Sequence, residues 1–280
     1  WNKLSPIGYV LFLDVGQGDS ILIKDPSTRK ISLIDTGGRV SWQEKENWQK
    51  RNKNFTIGKD VVVPSIKSLG ISTIDRLYIS HAHADHMGEI KNIYEEIKIK
   101  EVASTLTTLE DESVKKQLSG LKEKRIVEVK ENSRLDYPTP NTLAVHPGIH
   151  YNDKNNQSLV LYVKIGKDYW LFTGDLEAQG EKDLIETYPS LSANYLKVAH
   201  HGSSTSSTEE FINTIQPRNA FVSVAKKNRH NHPNPELIES FLERKMNTYL
   251  TSEDGAIKIS YFKVPLVNKW STKIERVNKD

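Results

Sequence analysis

Nine histidines occur in the 280-residue chain, and five of them fall in two tight groups. The first is His81-Ala82-His83-Ala84-Asp85-His86, set between Ser80 and Met87. Imidazole nitrogens and carboxylate oxygens at this density suit Zn, Mn, Fe or Co. Four such side chains at the end of a buried strand are costly to desolvate unless a ligand satisfies them. His81 and His83, two residues apart in extended chain, share a face and can converge on one ion. Asp85 and His86 enter the next helix and face a second ion. The other group, His200-His201-Gly202-Ser203, again follows an apolar run. Neighbours on a strand end point to opposite faces, so one of the pair is a ligand. Spacing does not say which. His201 is assigned to metal, and His200 to contacting phosphate or protonating a leaving group. Asp175, in Gly174-Asp175 after a third apolar run, can bridge two ions, and Asp35 can fix an imidazole from behind.

These residues need rigid strand ends to hold them. Tyr9–Val15, Ser20–Lys24 and Lys30–Ile34 read as strands, the first two joined by Gly16-Gln17-Gly18-Asp19. Further strands are expected at Arg76–Ser80, Glu101–Ser104, Arg125–Val129, Leu143–Val145, Ser158–Ile165, Tyr169–Thr173, Tyr195–Ala199, Ala220–Val224 and Ala256–Phe262. Helices are expected at Val61–Leu69, Gly88–Ile97, Asp111–Lys122, Glu177–Tyr188, Thr208–Ile215 and Pro235–Lys245. Strand–helix alternation after an antiparallel start in each half predicts an α/β protein of two mixed sheets, helices outside, around one continuous core. The whole chain, 1–280, reads as one domain. Segment 41–56 breaks the periodicity as an insertion or mobile loop. From Trp42 to Lys59 it mixes aromatics and cations, which suits base stacking and phosphate contact.

Composition narrows the chemistry. There is no cysteine, which removes disulfides, zinc fingers, iron–sulfur clusters and thiol nucleophiles. Any metal must be held by His and carboxylates. A net charge of +3 argues against a general polyanion coat but permits a local basic groove. No apolar run approaches the roughly 18–20 residues of a membrane span, and no signal peptide is legible. A chain that starts at Trp1 reads as a processed product or an excised domain.

HxHxDH, with Asp35 before it and Gly174-Asp175 and a later His after it, resembles the metallo-β-lactamase superfamily over essentially the whole chain. Within it, Leu13–Ser20, Asn155–Leu161, Phe172–Glu177, Leu196–Ser203 and His232–Glu236 are similar to the C-terminal domain of the ComEC competence family, the DNA-uptake channel of the bacterial membrane. The resemblance implies an αββα sandwich with its site at the sheet edges. It also implies a metal-dependent nuclease that degrades one DNA strand as the other enters. The chain would then be a soluble domain attached to a membrane channel, on the extracellular face.

One departure bears on the metal. Most superfamily members carry a third histidine between HxHxDH and Gly-Asp, where this chain reads Asn155-Asn156-Gln157-Ser158. The expected sites are therefore His81, His83 and Asp175, helped by Asn156 or water, and Asp85, His86, Asp175 and one of His200 and His201. Ser158 and Asn156 stand behind the ligands. Fewer imidazoles among two divalent ions tilt the choice from Zn toward Mn. A hydroxide shared by the ions would attack phosphorus, oriented by Asp85, with His200 or His232 as general acid. Ser203, Lys226, Lys227 and Arg229 are the phosphate or DNA contacts, and His146, His150 and His230 read as structural or solvated. Two other classes remain open: a hydrolase of a small phosphodiester (phosphorylcholine esterase-like), lactam or thioester, or a non-catalytic binding module. The oligomeric state is not legible.

Overall fold

In Gly8–Phe12, Tyr9 and Leu11 enter one core while Val10 and Phe12 enter another. That is the period of two expected of a strand covered on both faces. The computed structural model describes residues 6–38, 55–121, 125–264 and 269–277, and this alternation recurs through it. The strands are β1 (Gly8–Phe12), β2 (Ile21–Lys24), β3 (Ile31–Ile34), β4 (Thr73–Tyr78), β5 (Lys98–Ser104), β6 (Ile126–Glu128), β7 (Arg134–Leu135), β8 (Thr142–His146), β9 (Val160–Ile165), β10 (Asp168–Phe172), β11 (Tyr195–Lys197), β12 (Asn219–Val222), β13 (Asn247–Leu250), β14 (Ile257–Val264) and β15 (Lys269–Arg276). One sheet runs β15-β14-β1-β2-β3-β4-β5-β6 and the other β13-β12-β11-β10-β9-β8-β7. Both are mixed. β1 to β3 pair antiparallel and β3 to β6 parallel. β7 to β10 pair antiparallel and β10 to β13 parallel. The hairpin β14–β15 returns to the first sheet, with Gly8 opposite Tyr261.

Because each sheet is covered on both faces, the apolar interior divides into three layers, not the one continuous core expected. Leu33, Leu77 and Val102 pack with residues of the helices Val63–Ser68 and Ile90–Tyr94. Phe12, Trp170, Phe172, Phe221 and Tyr261 lie between the sheets. There the Phe12 and Phe221 rings stack at 4.9 Å, and Trp170 Nε1 donates to the Tyr261 hydroxyl at 2.7 Å. Leu171, Leu196 and Val222 pack with residues of the helices Ala178–Thr187, Glu209–Ile215 and Pro235–Glu243. The result is an αββα sandwich.

Two local readings need correction. The helix expected from Gly88 to Ile97 is shorter, Ile90–Tyr94, and a separate short helix before it, Ala84–Met87, carries Asp85 and His86. Strands β13 and β15 escaped the sequence reading because they are polar edge strands: β15 is at most half-buried, without the apolar alternation that marks a covered strand. Residues 39–54, which hold most of the 41–56 segment, lie outside the described residues. No helix among the described residues is long and apolar enough to cross a membrane.

Candidate metal centre

The carboxyl ends of β3, β4, β10 and β11 meet at one edge of the sandwich. β3 delivers Asp35, β4 runs on to Ser80 and His81, β10 to Gly174 and Asp175, and β11 to the turn Ala199–Gly202. The Leu159 amide donates to the Ser80 carbonyl at 2.8 Å, which ties the two sheets together beneath the site. The loop after β1 folds over the HAHADH segment, where the Asp19 amide donates to the Asp85 carbonyl at 3.3 Å. Only glycine permits that approach. A Cβ on Gly18 would strike the Asp85 carbonyl, and one on Gly38 the Ala84 carbonyl.

One nitrogen or oxygen from each of Asp85, His86, Asp175 and His201 lies within 4.8 Å of the others. Asp175 Oδ2 is the centre of the group. It is 3.1 Å from His86 Nε2, 3.6 Å from His201 Nε2, 3.8 Å from His81 Nε2 and 4.0 Å from His200 Nε2. His201 Nε2 stands 3.5 Å from Asp85 Oδ2. Each inner imidazole is held by its far nitrogen. His86 Nδ1 is 2.8 Å from Asp35 Oδ2, and His201 Nδ1 is 2.8 Å from the Ser223 carbonyl oxygen. An Nδ1–H donated backward leaves Nε2 with its lone pair turned into the group. Asp35 also accepts from the Ser80 amide at 2.7 Å and the Ser80 hydroxyl at 2.6 Å.

The donor set fits a divalent cation. His86 Nε2 and His201 Nε2 are buried without an aligned hydrogen-bond partner, and orphaned polar atoms are costly there. Two imidazoles and two carboxylates are the ligand types of Zn and Mn sites. The electrostatics agree. Burial opposes a proton on His86, but the Asp175 and Asp35 carboxylates overcome it and hold the ring well above the usual imidazole range. In His201, burial is likewise outweighed by Asp175 and Asp85, which raise it. Burial works against ionised Asp85 and Asp175, yet the surrounding imidazoles keep both carboxyls below their usual range. Positive charge is thus stabilised in the middle of the group, and a cation bound there must displace protons.

His81 and His83 lie edge to face, with His81 Nε2 3.1 Å from His83 Nδ1. His81 is buried and pushed well below the usual range by burial and by His86. His200 and His201 are not consecutive strand residues with opposed faces. Both adopt left-handed backbone, φ 47° and 54°, inside a tight turn. This turn points His201 inward and leaves His200 at the rim, where Nδ1 is 3.1 Å from Glu177 Oε1. His232 stands beside it, ring centroids 5.5 Å apart. Burial and the charges of His200 and His201 push His232 down to about 4. Lys226, Lys227 and Arg229 are exposed on the loop between β12 and His232, whose Ala225 amide donates to Gln17 Oε1 at 3.3 Å.

Two expected roles are corrected. Asn156 is not turned to the ion. Its Oδ1 accepts from the Glu177 and Gly180 amides at 3.1 and 3.0 Å, and its Nδ2 donates to Asp153 at 3.1 Å, so both ends of the amide are spent on the start of the helix Ala178–Thr187. Ser203 is buried, and its hydroxyl oxygen accepts from the Thr205 amide at 3.2 Å within its own turn. The helix that follows is capped by Thr208. Ser158 does stand behind Asp175, accepting from its amide at 3.0 Å.

Four residues without an assigned role also converge here. Lys197, 1% exposed, places Nζ 2.5 Å from Asp19 Oδ2. Glu177 orients His200, and Lys154 donates to the Ala82 carbonyl at 3.3 Å while pairing with Asp111 at 2.7 Å. The one signal for Lys197 was a single cation inside the apolar run Tyr195–Ala199.

The chain is 34% identical over 262 residues to ComE operon protein 3 of Bacillus subtilis (strain 168), covering 92% of this chain and 34% of that protein. It is 26% identical to Competence protein ComA of Neisseria gonorrhoeae, covering 88% and 31%. Recombination protein 2 of Haemophilus influenzae matches at 24%, covering 92% and 29%. The chain thus spans about a third of the length of the curated relatives it matches. Among solved structures, a mutant CmlA beta-hydroxylase superposes with a TM-score of 0.53 at 12% identity, over 96% of this chain and 54% of that one, a likeness of fold alone. The family model described as Metallo-beta-lactamase superfamily matches residues 13–226. That match takes in every strand end from which a candidate ligand projects, and the chain belongs to the metallo-beta-lactamase superfamily.

Proposed function

We propose that this chain is a metal-dependent phosphodiesterase that cleaves DNA, acting on one strand during uptake of the other, and that it is the soluble part of a longer competence protein whose remainder forms a membrane channel. We place it on the extracellular face. The superfamily is one of metal-dependent hydrolases, and the relatives' names concern competence and recombination. The observation that carries the reading is the Asp85, His86, Asp175 and His201 group, open on one side to His200, His232 and a loop of exposed cations.

Asp85, His86, Asp175 and His201 would hold one divalent ion, and His81 and His83 with the shared Asp175 a second. The high share of carboxylate favours Mn, with Zn as the other candidate. When bound, such ions supply Lewis acidity, easing ionisation of water and neutralising charge on phosphoryl oxygens. The chain's own groups do the rest. Asp85, partly open to solvent, orients the attacking water through its carboxylate. His200, whose Nδ1 stands 3.1 Å from Glu177 Oε1, would give a proton from its ring to the departing oxygen. His232, uncharged near neutrality, offers an N–H to a phosphate oxygen. Lys226, Lys227 and Arg229 hold the flanking phosphates on one side and Lys154 on the side of His83.

The test is digestion of end-labelled single- and double-stranded DNA with Mn, Mg or Zn, against Asp85→Ala and His86→Ala. Cleavage by the wild type alone is expected. Hydrolysis of a small chromogenic phosphodiester with intact DNA would move the substrate to the small-phosphodiester class. No hydrolysis of either under any metal would overturn the reading.

A further inference from the structure

The ammonium of Lys197 belongs to none of the ligand groups expected of the centre, yet it is almost completely buried beneath it. Two close contacts hold it, and a third oxygen lies just beyond hydrogen-bond distance. Nζ donates to the Gly174 carbonyl at 2.7 Å, pairs with Asp19 Oδ2 at 2.5 Å and faces Asp175 Oδ1 at 3.6 Å. A buried ion pair is an expensive way to fill space. Apolar residues of similar volume commonly serve as well or better, so a charge kept at this depth calls for a reason beyond stability.

The reason lies in how Asp175 is held. Its amide is fixed by Ser158 Oγ, and the carbonyl before it by Lys197 Nζ and the His200 amide, the latter at 3.3 Å. Gly174, at φ 55°, carries the chain through a turn where a Cβ would press on Ser158 Oγ and Ser80 Cβ. With the backbone pinned, the carboxylate is divided. Oδ1 faces the lysine, and Oδ2 faces four imidazole nitrogens within 4.0 Å. A carboxylate free to rotate could present both oxygens to one ion. Here a permanent cation on the far side draws one oxygen back. The same ammonium serves Asp19, which with Asp35 and His86 makes the other tight acidic group.

We propose that Lys197 is a positioning residue: its ammonium, locked between Asp19, Gly174 and Asp175, fixes Asp175 so that only Oδ2 is offered to divalent cations. The inference rests on the metal-centre reading above. Its test is Mn binding to protein stripped with chelator, followed by calorimetry and by the electron paramagnetic resonance of free Mn. The variant is Asp19→Asn/Lys197→Met, which removes both members of the pair and leaves the net charge of the site unchanged. If the pair only filled a structural need, the double variant would fold and bind Mn as the wild type does. Positioning instead requires about 10- to 100-fold weaker binding, the scale seen when a group behind a metal ligand is lost. Equal affinity overturns the inference and leaves the metal centre standing. Wild type that binds no Mn overturns both. Should the double variant not fold, the crystal structure of the Mn-loaded wild type decides. Lys197 Nζ against Asp175 Oδ1 with Oδ2 on the ion supports the inference. Oδ1 on the ion, or a lysine turned away, overturns it.

Discussion

Asp35→Asn is the sharpest probe of the centre, because it changes one atom behind a candidate ligand. Asp35 takes three hydrogen bonds on two oxygens: the Ser80 amide at 2.7 Å, the Ser80 hydroxyl at 2.6 Å and His86 Nδ1 at 2.8 Å. An amide offers one acceptor and one donor in the same place. The Ser80 hydroxyl can turn, but the Ser80 amide cannot. If Oδ1 keeps the Ser80 amide, Nδ2 faces His86 Nδ1 and forces the ring's proton to Nε2, the atom turned toward Asp175. If the amide flips, its NH₂ opposes the Ser80 amide. Metal binding requires Nε2 free, so the bound state must carry a buried donor against a donor, at a cost of about 1–3 kcal/mol. That is roughly a 5- to 150-fold loss of affinity, in line with the 10- to 100-fold typical of groups behind a metal ligand. The assay is competition for Mn or Zn between the stripped protein and a chelating dye. Wild-type affinity in Asp35→Asn would refute the argument, since it would mean that His86 does not bind through Nε2 with its proton on Nδ1.

Three further outcomes follow from other parts of the molecule. Burial raises Glu181 to about 7 although the Ser207 and Thr208 amides donate to it at 2.5 and 2.8 Å, so the folded state binds this proton more tightly than the unfolded. Stability should therefore fall as pH rises between about 4.5 and 7, by up to about 3 kcal/mol, and Glu181→Gln should flatten that slope in urea unfolding measured at pH 5 and 8. His200→Ala should lower turnover on DNA by about 100-fold or more and Glu177→Gln by less, with metal content by elemental analysis unchanged, because His200 sits outside the four-residue group. Phe221→Ala empties the space between the sheets that its ring fills against Phe12 and Tyr249, each at 4.9 Å, and should cost about 3–5 kcal/mol in denaturant unfolding.

The amino-acid sequence by itself determined the strand ends and the kinds of candidate ligand. Apolar runs that stop at Asp35, at His81, at Asp175 and at His200 could be read directly, since burial on both faces demands uninterrupted apolar strands and the first polar residues beyond them must sit at an edge. With no cysteine in the chain, His and carboxylate had to carry any metal. Tertiary structure decided the rest. Left-handed backbone at His200 and His201, not strand alternation, sorted the rim histidine from the inner one. The pairing of β10 with β11, Phe172 opposite Lys197, brought the lysine under Asp175, and the fold of the loop after β1 carried Asp19 to meet it. Asn156 looked like a substitute ligand, but the register of the chain before β9 placed its amide at a helix start instead. Such choices depend on which backbone groups remain unpaired once two sheets have packed, a quantity set by contacts between residues far apart in the chain and carried by no local pattern.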